Sequence, residues 1–143
     1  MRVAAEVTVP AIPADVWVAL LEWERQPEWM VDAVTVRVAS PRRSGAGTRV
    51  EVRTRILGLP LLTDVLEVTE WDPPRRLVMV RRGFVRGRGT WRLEPDPSGT
   101  RFTWSEEIRV PVPVVGELAL FGYRPVMRRL MRRSLENLAR QVR

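Results

Sequence analysis

The sequence predicts an α+β fold in which a curved antiparallel sheet of about seven strands wraps a long C-terminal helix, with two short helices after the first strand. Three observations lead there. Between Val34 and Val110, apolar residues recur with period two in segment after segment, separated by proline and glycine turns. Near the two ends, Val16 to Trp23 and Val126 to Val142 carry helical spacing instead. No linker or internal repeat interrupts the 143 residues, so one domain spanning 1–143 is expected, large enough to bury roughly 70% of its unfolded surface.

Each element has its own justification. Val3 to Val9 alternates apolar with small or polar residues, as a half-buried strand does, and Pro10 and Pro13 end it. Asp15 opens a helix in which Val16, Trp17, Leu20, Leu21 and Trp23 recur up to Glu24 and Arg25. Pro27 restarts the chain, and Glu28, Trp29 and Met30 fit one turn of a second short helix. Val34, Val36 and Val38 share one strand face, followed by a turn at Pro41, Ser44, Gly45 and Gly47. Val50, Val52, Thr54 and Ile56 oppose Arg49, Glu51, Arg53 and Arg55, a strand with one wet face. The apolar segment from Leu57 to Leu62 reads as a connection. Strands then run over Thr63 to Trp71, Arg76 to Arg82, Phe84 to Leu93 and Arg101 to Val110, with turns at Asp72-Pro73-Pro74 and Pro95 to Gly99 and a tight junction at Gly83. Pro111 and Pro113 close the last strand. After a mixed stretch containing Gly116, Gly122 and Pro125, residues Val126, Met127, Leu130, Met131, Leu135, Leu138 and Val142 face one side of a long helix, and Arg128, Arg129, Arg132, Arg133 and Arg140 face the other.

Composition excludes whole classes of chemistry. The chain has no His and no Cys, and all 24 basic residues are arginine, for a net charge of +7. Zinc fingers, thiolate nucleophiles, disulfides, iron–sulfur clusters and Ser-His-Asp triads need residues it lacks, as do lysine Schiff bases and P-loops. Acid–base work falls to carboxylates, Arg, Ser/Thr, indole N–H groups and the single Tyr123. No metal site and no cofactor is expected. No apolar run approaches the roughly 20 residues of a membrane span, and the N-terminus lacks a signal-peptide pattern, so cytoplasmic residence is the expectation. Most arginines fall on outward strand faces or the polar side of the last helix, interleaved with Glu51 and Glu94. No helix-turn-helix, RNA-binding aromatic motif or phosphate cradle accompanies them, so no nucleic-acid partner is expected; the cluster Arg128, Arg129, Arg132 and Arg133 reads first as a solvated helix face, with transient contact with anionic membrane as the alternative.

Three stretches carry a family resemblance. They are Val7 to Trp17 followed by Pro27-Glu28-Trp29; Val68 to Leu77 around Asp72-Pro73-Pro74; and Gly87 to Pro95 with Gly99 to Trp104 and the terminal Arg133-Ser134-Leu135-Glu136-Asn137-Leu138. In that order, over nearly the whole chain, they resemble the START-like superfamily in its polyketide cyclase/dehydrase and lipid-transport (SRPBCC) branch. The resemblance implies the helix-grip fold, with a ligand cavity between sheet and last helix. It does not choose among carriers, cyclases and interaction proteins.

On that expectation, alternation nominates site residues. Phe102, Trp104, Glu106 and Ile108 share a face, which sets Glu106 on an apolar stripe. A carboxyl there is either a buried anchor or acid with a raised pKa, or a rim residue in solvent. Asp64 shares parity with Leu62, Leu66 and Val68 and poses the same choice. Trp91 falls on the face of Gly87, Gly89 and Leu93; Trp29, Trp91, Phe102 and Trp104 are candidate ligand contacts with core packing as the alternative. Related folds frame their cavity mouth with the loop after the third strand and the start of the last helix, which nominates Leu57, Leu59 and Leu61 as a gate and Tyr123 as ligand contact or acid. The leading expectation is an intracellular binding protein enclosing a small hydrophobic ligand such as a lipid, isoprenoid or polyketide. The alternatives are a polyketide cyclase/dehydrase-type enzyme using Glu106, Asp64 or Tyr123, and a protein-interaction module.

Overall fold

The computed structural model of the chain describes every residue except Leu57 and Arg143, and the backbone but not the side chain of Leu61. Strand β1 (Arg2–Val9) leads into helix α1 (Pro13–Leu20) and a 3-10 helix (Trp23–Glu28). Six strands follow: β2 (Ala33–Val38), β3 (Arg49–Ile56), β4 (Leu59–Asp72), β5 (Arg76–Arg82), β6 (Arg86–Asp96) and β7 (Gly99–Arg109). Helix α2 (Val115–Gln141) ends the fold. The sheet order is β1-β7-β6-β5-β4-β3-β2, every neighbouring pair antiparallel, which with the long helix is the helix-grip arrangement expected from the sequence.

Alternation decides what the sheet buries. Val3, Val9, Val50, Val68, Leu77, Leu93 and Phe102 point inward and are almost fully buried, where they meet Val16 and Leu20 of α1, Trp23, and Met131, Leu135 and Leu138 of α2. Each such side chain contributes about 1.5–3 kcal/mol of hydrophobic stabilisation. Antiparallel order also gathers five segments at one rim: the start of β1, the start of β2, the β3–β4 turn, the β5–β6 turn and the end of β7.

Several element boundaries differ from the sequence expectation, among them β6, which starts at Arg86 rather than Phe84 and pairs out to Asp96 opposite Gly99, so the turn expected over Pro95 to Gly99 is only residues 97–98. Trp23 opens the 3-10 helix rather than closing α1, because the chain turns after Leu20, where Leu21 caps α1. Leu59 to Leu62 belong to β4 rather than to a connection, paired from Leu59 with Ile56 and preceded by Gly58 at φ +82. Helix α2 begins at Val115, eleven residues before the amphipathic stripe that signals it. Its first half has no buried stripe to display, and Pro125 sits inside the helix. Gly116 permits the close approach there, since a Cβ would clash with a methyl carbon of Val110.

The two halves of α2 are held very differently. In the second half, the Ser134 hydroxyl accepts from the Val31 amide at 2.9 Å and donates to the Leu130 carbonyl at 2.8 Å. Asn137 donates to the Trp29 carbonyl at 3.2 Å, and Gln141 to the Glu28 carbonyl at 2.9 Å. These side chains fasten α2 to the segment leading into β2 while Leu135 and Leu138 fill the core behind them. In the first half Arg124 Nε donates to the Arg2 carbonyl at the sheet edge at 2.8 Å, while Leu118 and Phe121 stand in solvent.

Candidate functional site

Near the rim, the concave face of the sheet changes from apolar to polar. Register explains the grouping. Asp64 on β4 pairs opposite Val52, Arg81 on β5 opposite Leu66, and Glu106 on β7 opposite Gly89 on β6, so inward positions of strands separated in sequence stack at one level. Arg81 Nη1 lies 3.2 Å from Asp64 Oδ2, and Arg81 Nη2 lies 4.0 Å from Glu106 Oε1. Both carboxylate side chains are 4% exposed and the guanidinium side chain 15%, so all three groups are interior. Glu106 Oε1 also accepts a hydrogen bond from Trp104 Nε1 at 3.1 Å. Glu106 Oε2 and Arg81 Nε have no hydrogen-bond partner among the described residues.

Two glycines make room for the two carboxylates. A Cβ at Gly89 would stand 2.8 Å from Glu106 Oε1, and one at Gly83 would stand 2.8 Å from Asp64 Oδ1. Burial pushes the Glu106 pKa above the ordinary carboxylate range, opposed by the Arg81 charge and the Trp104 hydrogen bond. Asp32, half-buried in the segment before β2, also has a pKa raised by burial and opposed by Arg81 and Arg55. One interior guanidinium thus faces three carboxyl groups. Beneath them lies a cavity of about 40 Å³ whose wall includes Met30, Met79, Gly89, Trp91 and Trp104, with Arg81 and Glu106 at its polar side.

The residues nominated by sequence divide into several groups. Glu106, Trp91 and Trp104 line this cavity. Asp64 reaches it through Arg81, so both carboxylates take the interior option rather than the solvent rim. Trp29 packs on Trp91 and Trp104 at ring-centroid distances of 6.2 and 6.5 Å, and Phe102 packs on Trp91 at 6.2 Å; neither of the two lines the cavity. Tyr123 is half-buried on the first half of α2, away from the cavity wall. Leu59 is exposed at the rim, while Leu57 and the side chain of Leu61 lie outside the described residues. Trp23, Trp91 and Trp104 wall the cavity, and Trp17 and Trp29 are buried in the same core, which is where much of the tryptophan content is spent.

Arg81 is the member of this cluster that the sequence does not single out. Its signal was present: Leu77, Met79 and Arg81 share parity on β5, so an arginine ends an apolar stripe. The adjacent Arg82, exposed and paired with Glu67 at 3.3 Å, hides it in a basic doublet. No group of three or more Asp or Glu among the described residues is arranged to hold a metal ion. The groups gathered at this site are a buried carboxyl, a paired guanidinium and an indole donor.

Comparison with known proteins bears on this geometry. The family described as polyketide cyclase / dehydrase and lipid transport matches residues 1–143. The uncharacterized protein Rv2574 of Mycobacterium tuberculosis is 29% identical over 141 residues, which cover 94% of this chain and 80% of that protein; Mb2604 of Mycobacterium bovis matches with the same figures. Among solved structures, TTHA0849 from Thermus thermophilus superposes with a TM-score of 0.82 at 24% identity, covering 99% of this chain and 97% of that one. The ZhuI aromatase/cyclase from Streptomyces sp. R1128 gives a TM-score of 0.81 at 16% identity, covering 99% and 93%. At these identities the two structures establish a shared fold. With strand order, long helix and a full-length family match in agreement, the chain belongs to the polyketide cyclase/dehydrase and lipid transport family.

Proposed function

We propose that the protein encloses one small hydrophobic ligand, of the lipid, isoprenoid or polyketide class, between the concave face of the sheet and α2. The observation that carries this reading is an apolar wall joined, near the rim of the concave face, to a buried polar cluster with unused atoms, Glu106 Oε2 and Arg81 Nε. An unsatisfied buried polar atom costs about 1–3 kcal/mol, and a ligand oxygen meets that need. The family's lipid-transport description and the fold shared with an aromatase/cyclase support the same reading. At about 40 Å³ the cavity admits a polar head group only, whereas sites for whole small molecules span about 300–1,000 Å³. On this reading the ligand tail displaces side chains, and Met30 and Met79 are the wall residues best able to repack. Native mass spectrometry and solvent extraction of gently purified protein are expected to recover an apolar compound. Protein that carries none, and whose tryptophan fluorescence is unmoved by lipid, isoprenoid and polyketide-like probes, overturns the proposal.

One observation favours a second reading, catalysis. Glu106 is an interior carboxyl that burial holds toward its protonated form, next to a guanidinium able to stabilise a developing oxyanion. In a cyclase/dehydrase-type reaction, Glu106→Gln would lower turnover by at least about tenfold with the fold intact. An unchanged rate removes Glu106 from the chemistry.

The exposed first half of α2 adds a delivery surface to the binding reading. Val114, Val115, Leu118 and Phe121 are 67–71% exposed, and Phe121 borders a surface groove lined by Arg124, Arg128, Arg129 and Arg132. Apolar side chains flanked by arginines suit shallow insertion into an anionic bilayer. No helix among the described residues is long and apolar enough to cross a membrane, so the contact proposed is peripheral. Sedimentation with phosphatidylglycerol vesicles is expected to be lost in Leu118→Ser/Phe121→Ser and at high salt. Binding equal to that on phosphatidylcholine vesicles overturns the contact.

A further inference from the structure

The charge balance around Arg81 restricts which ligand heads the site accepts. Arg81 is the guanidinium on the cavity wall, and its Nη1 is already engaged by Asp64 at 3.2 Å. Its Nη2 faces Glu106 at 4.0 Å, and the Asp32 carboxyl also lies within its field. Arg55, the other cation that Asp32 senses, has its guanidinium Nη1 against the Val31 and Ala33 carbonyls at 3.3 Å, on an exposed residue. A ligand carboxylate entering here would be an additional anion, in a buried site whose cation is already matched by Asp64. Burying an uncompensated charge is far costlier than burying a neutral oxygen.

The unused hydrogen-bonding atoms point the same way. Arg81 Nε offers an N–H, and Glu106 Oε2 is the free oxygen of a carboxyl whose Oε1 is already held by Trp104. A ketone, ester or hydroxyl oxygen can accept from the first and pair with the second when that carboxyl carries its proton. The cavity volume of about 40 Å³ is of the size of one such group.

We propose that the Asp64–Arg81–Glu106 cluster selects apolar ligands with a neutral oxygen head, a ketone, ester or alcohol, and rejects free carboxylates of the same chain length. The proposal rests on the enclosing-site reading above. Its test uses four probes of matched chain: decanol, methyl octyl ketone, decanoate and decane, titrated at neutral pH against the fluorescence of the cavity tryptophans and by calorimetry. In the native protein, the alcohol and ketone are expected to bind at least about tenfold tighter than decanoate and decane. Asp64→Asn, which frees the Arg81 charge, is expected to shift the decanoate-to-decanol affinity ratio about tenfold toward decanoate. Decanoate binding as tightly as decanol in the native protein overturns the selectivity while leaving the enclosing site standing. Equal binding of all four probes does the same. Failure of all four to bind overturns the enclosing site itself, and the selectivity falls with it. Should Asp64→Asn fail to fold, the comparison of decanol with decanoate on the native protein decides the question alone.

Discussion

Replacing Arg81 by methionine tests whether the polar cluster is as buried in solution as the structure has it. The substitution keeps the apolar stem of the side chain and removes the cation. At 3.2 Å and an effective dielectric constant of about 20, the attraction between Arg81 and Asp64 amounts to about 5 kcal/mol, offset in part by the desolvation of both groups. What the variant leaves behind matters more: the Asp64 carboxylate, 4% exposed, loses its countercharge. Removing one partner of a buried pair costs about 3–5 kcal/mol, which for a chain of this size lowers Tm by about 10 °C or more. Guanidinium chloride unfolding at neutral pH, followed by tryptophan fluorescence, is the assay. The midpoint should fall with the slope m unchanged. Adding Asp64→Leu to Arg81→Met should restore most of the loss, since an apolar pair of similar volume replaces a buried ion pair at little net cost. A loss under about 1 kcal/mol for Arg81→Met is the value for a solvent-exposed pair and would refute the buried cluster.

Three further outcomes follow from the same structure. Because burial raises the Glu106 pKa, the folded state holds that proton more tightly than the unfolded chain; the resulting stability is complete below the unfolded value of about 4.3 and is lost as pH rises through the folded value. The stability of Glu106→Gln relative to the native protein should therefore increase from about pH 4.3 upward and then level off, and a difference that stays flat to about pH 8 contradicts the burial argument. Gly89→Ala should destabilise by about 1–3 kcal/mol through its contact with Glu106, with a double-mutant cycle against Glu106→Ala showing strong coupling; simple additivity would mean that the two positions do not touch. Ser134→Ala orphans the Val31 amide and should cost about 1–3 kcal/mol in chemical denaturation, whereas Ser134→Thr, which keeps the hydroxyl, should cost less.

Strand alternation made much of this site legible, because period two is set by backbone geometry and survives any arrangement of neighbours. Glu106 and Asp64 could be assigned to the inward parity of their strands on that ground alone. Depth was not legible: whether an inward position is interior or rim depends on how far neighbouring strands extend, and β4 runs four residues further toward the rim than its composition suggests. Asp32 carried no signal, since it lies in an irregular segment with no periodicity to betray its facing. The match of Gly83 and Gly89 to the two carboxylates is a cross-strand relation, invisible until register is known. The small cavity volume was equally hidden, because it depends on how Trp23, Trp91 and Trp104 tilt together.

The unequal attachment of α2 has a consequence for how the molecule breathes. Amides around residues 131–138 sit on buried Met131, Leu135 and Leu138, and the side chains of Ser134 and Asn137 tie that turn to another part of the chain, so their hydrogen exchange requires near-global unfolding. Amides around residues 116–124 lie on a stretch with few buried contacts, and they open at a small fraction of that cost. The helix therefore frays from its N-terminal end, next to the rim that carries the polar cluster, and Pro125 leaves the joint between the two regimes one hydrogen bond short. Trypsin would read the same gradient at Arg128 and Arg129, which follow that joint, whereas the Arg124–Pro125 bond resists cleavage because its nitrogen belongs to proline.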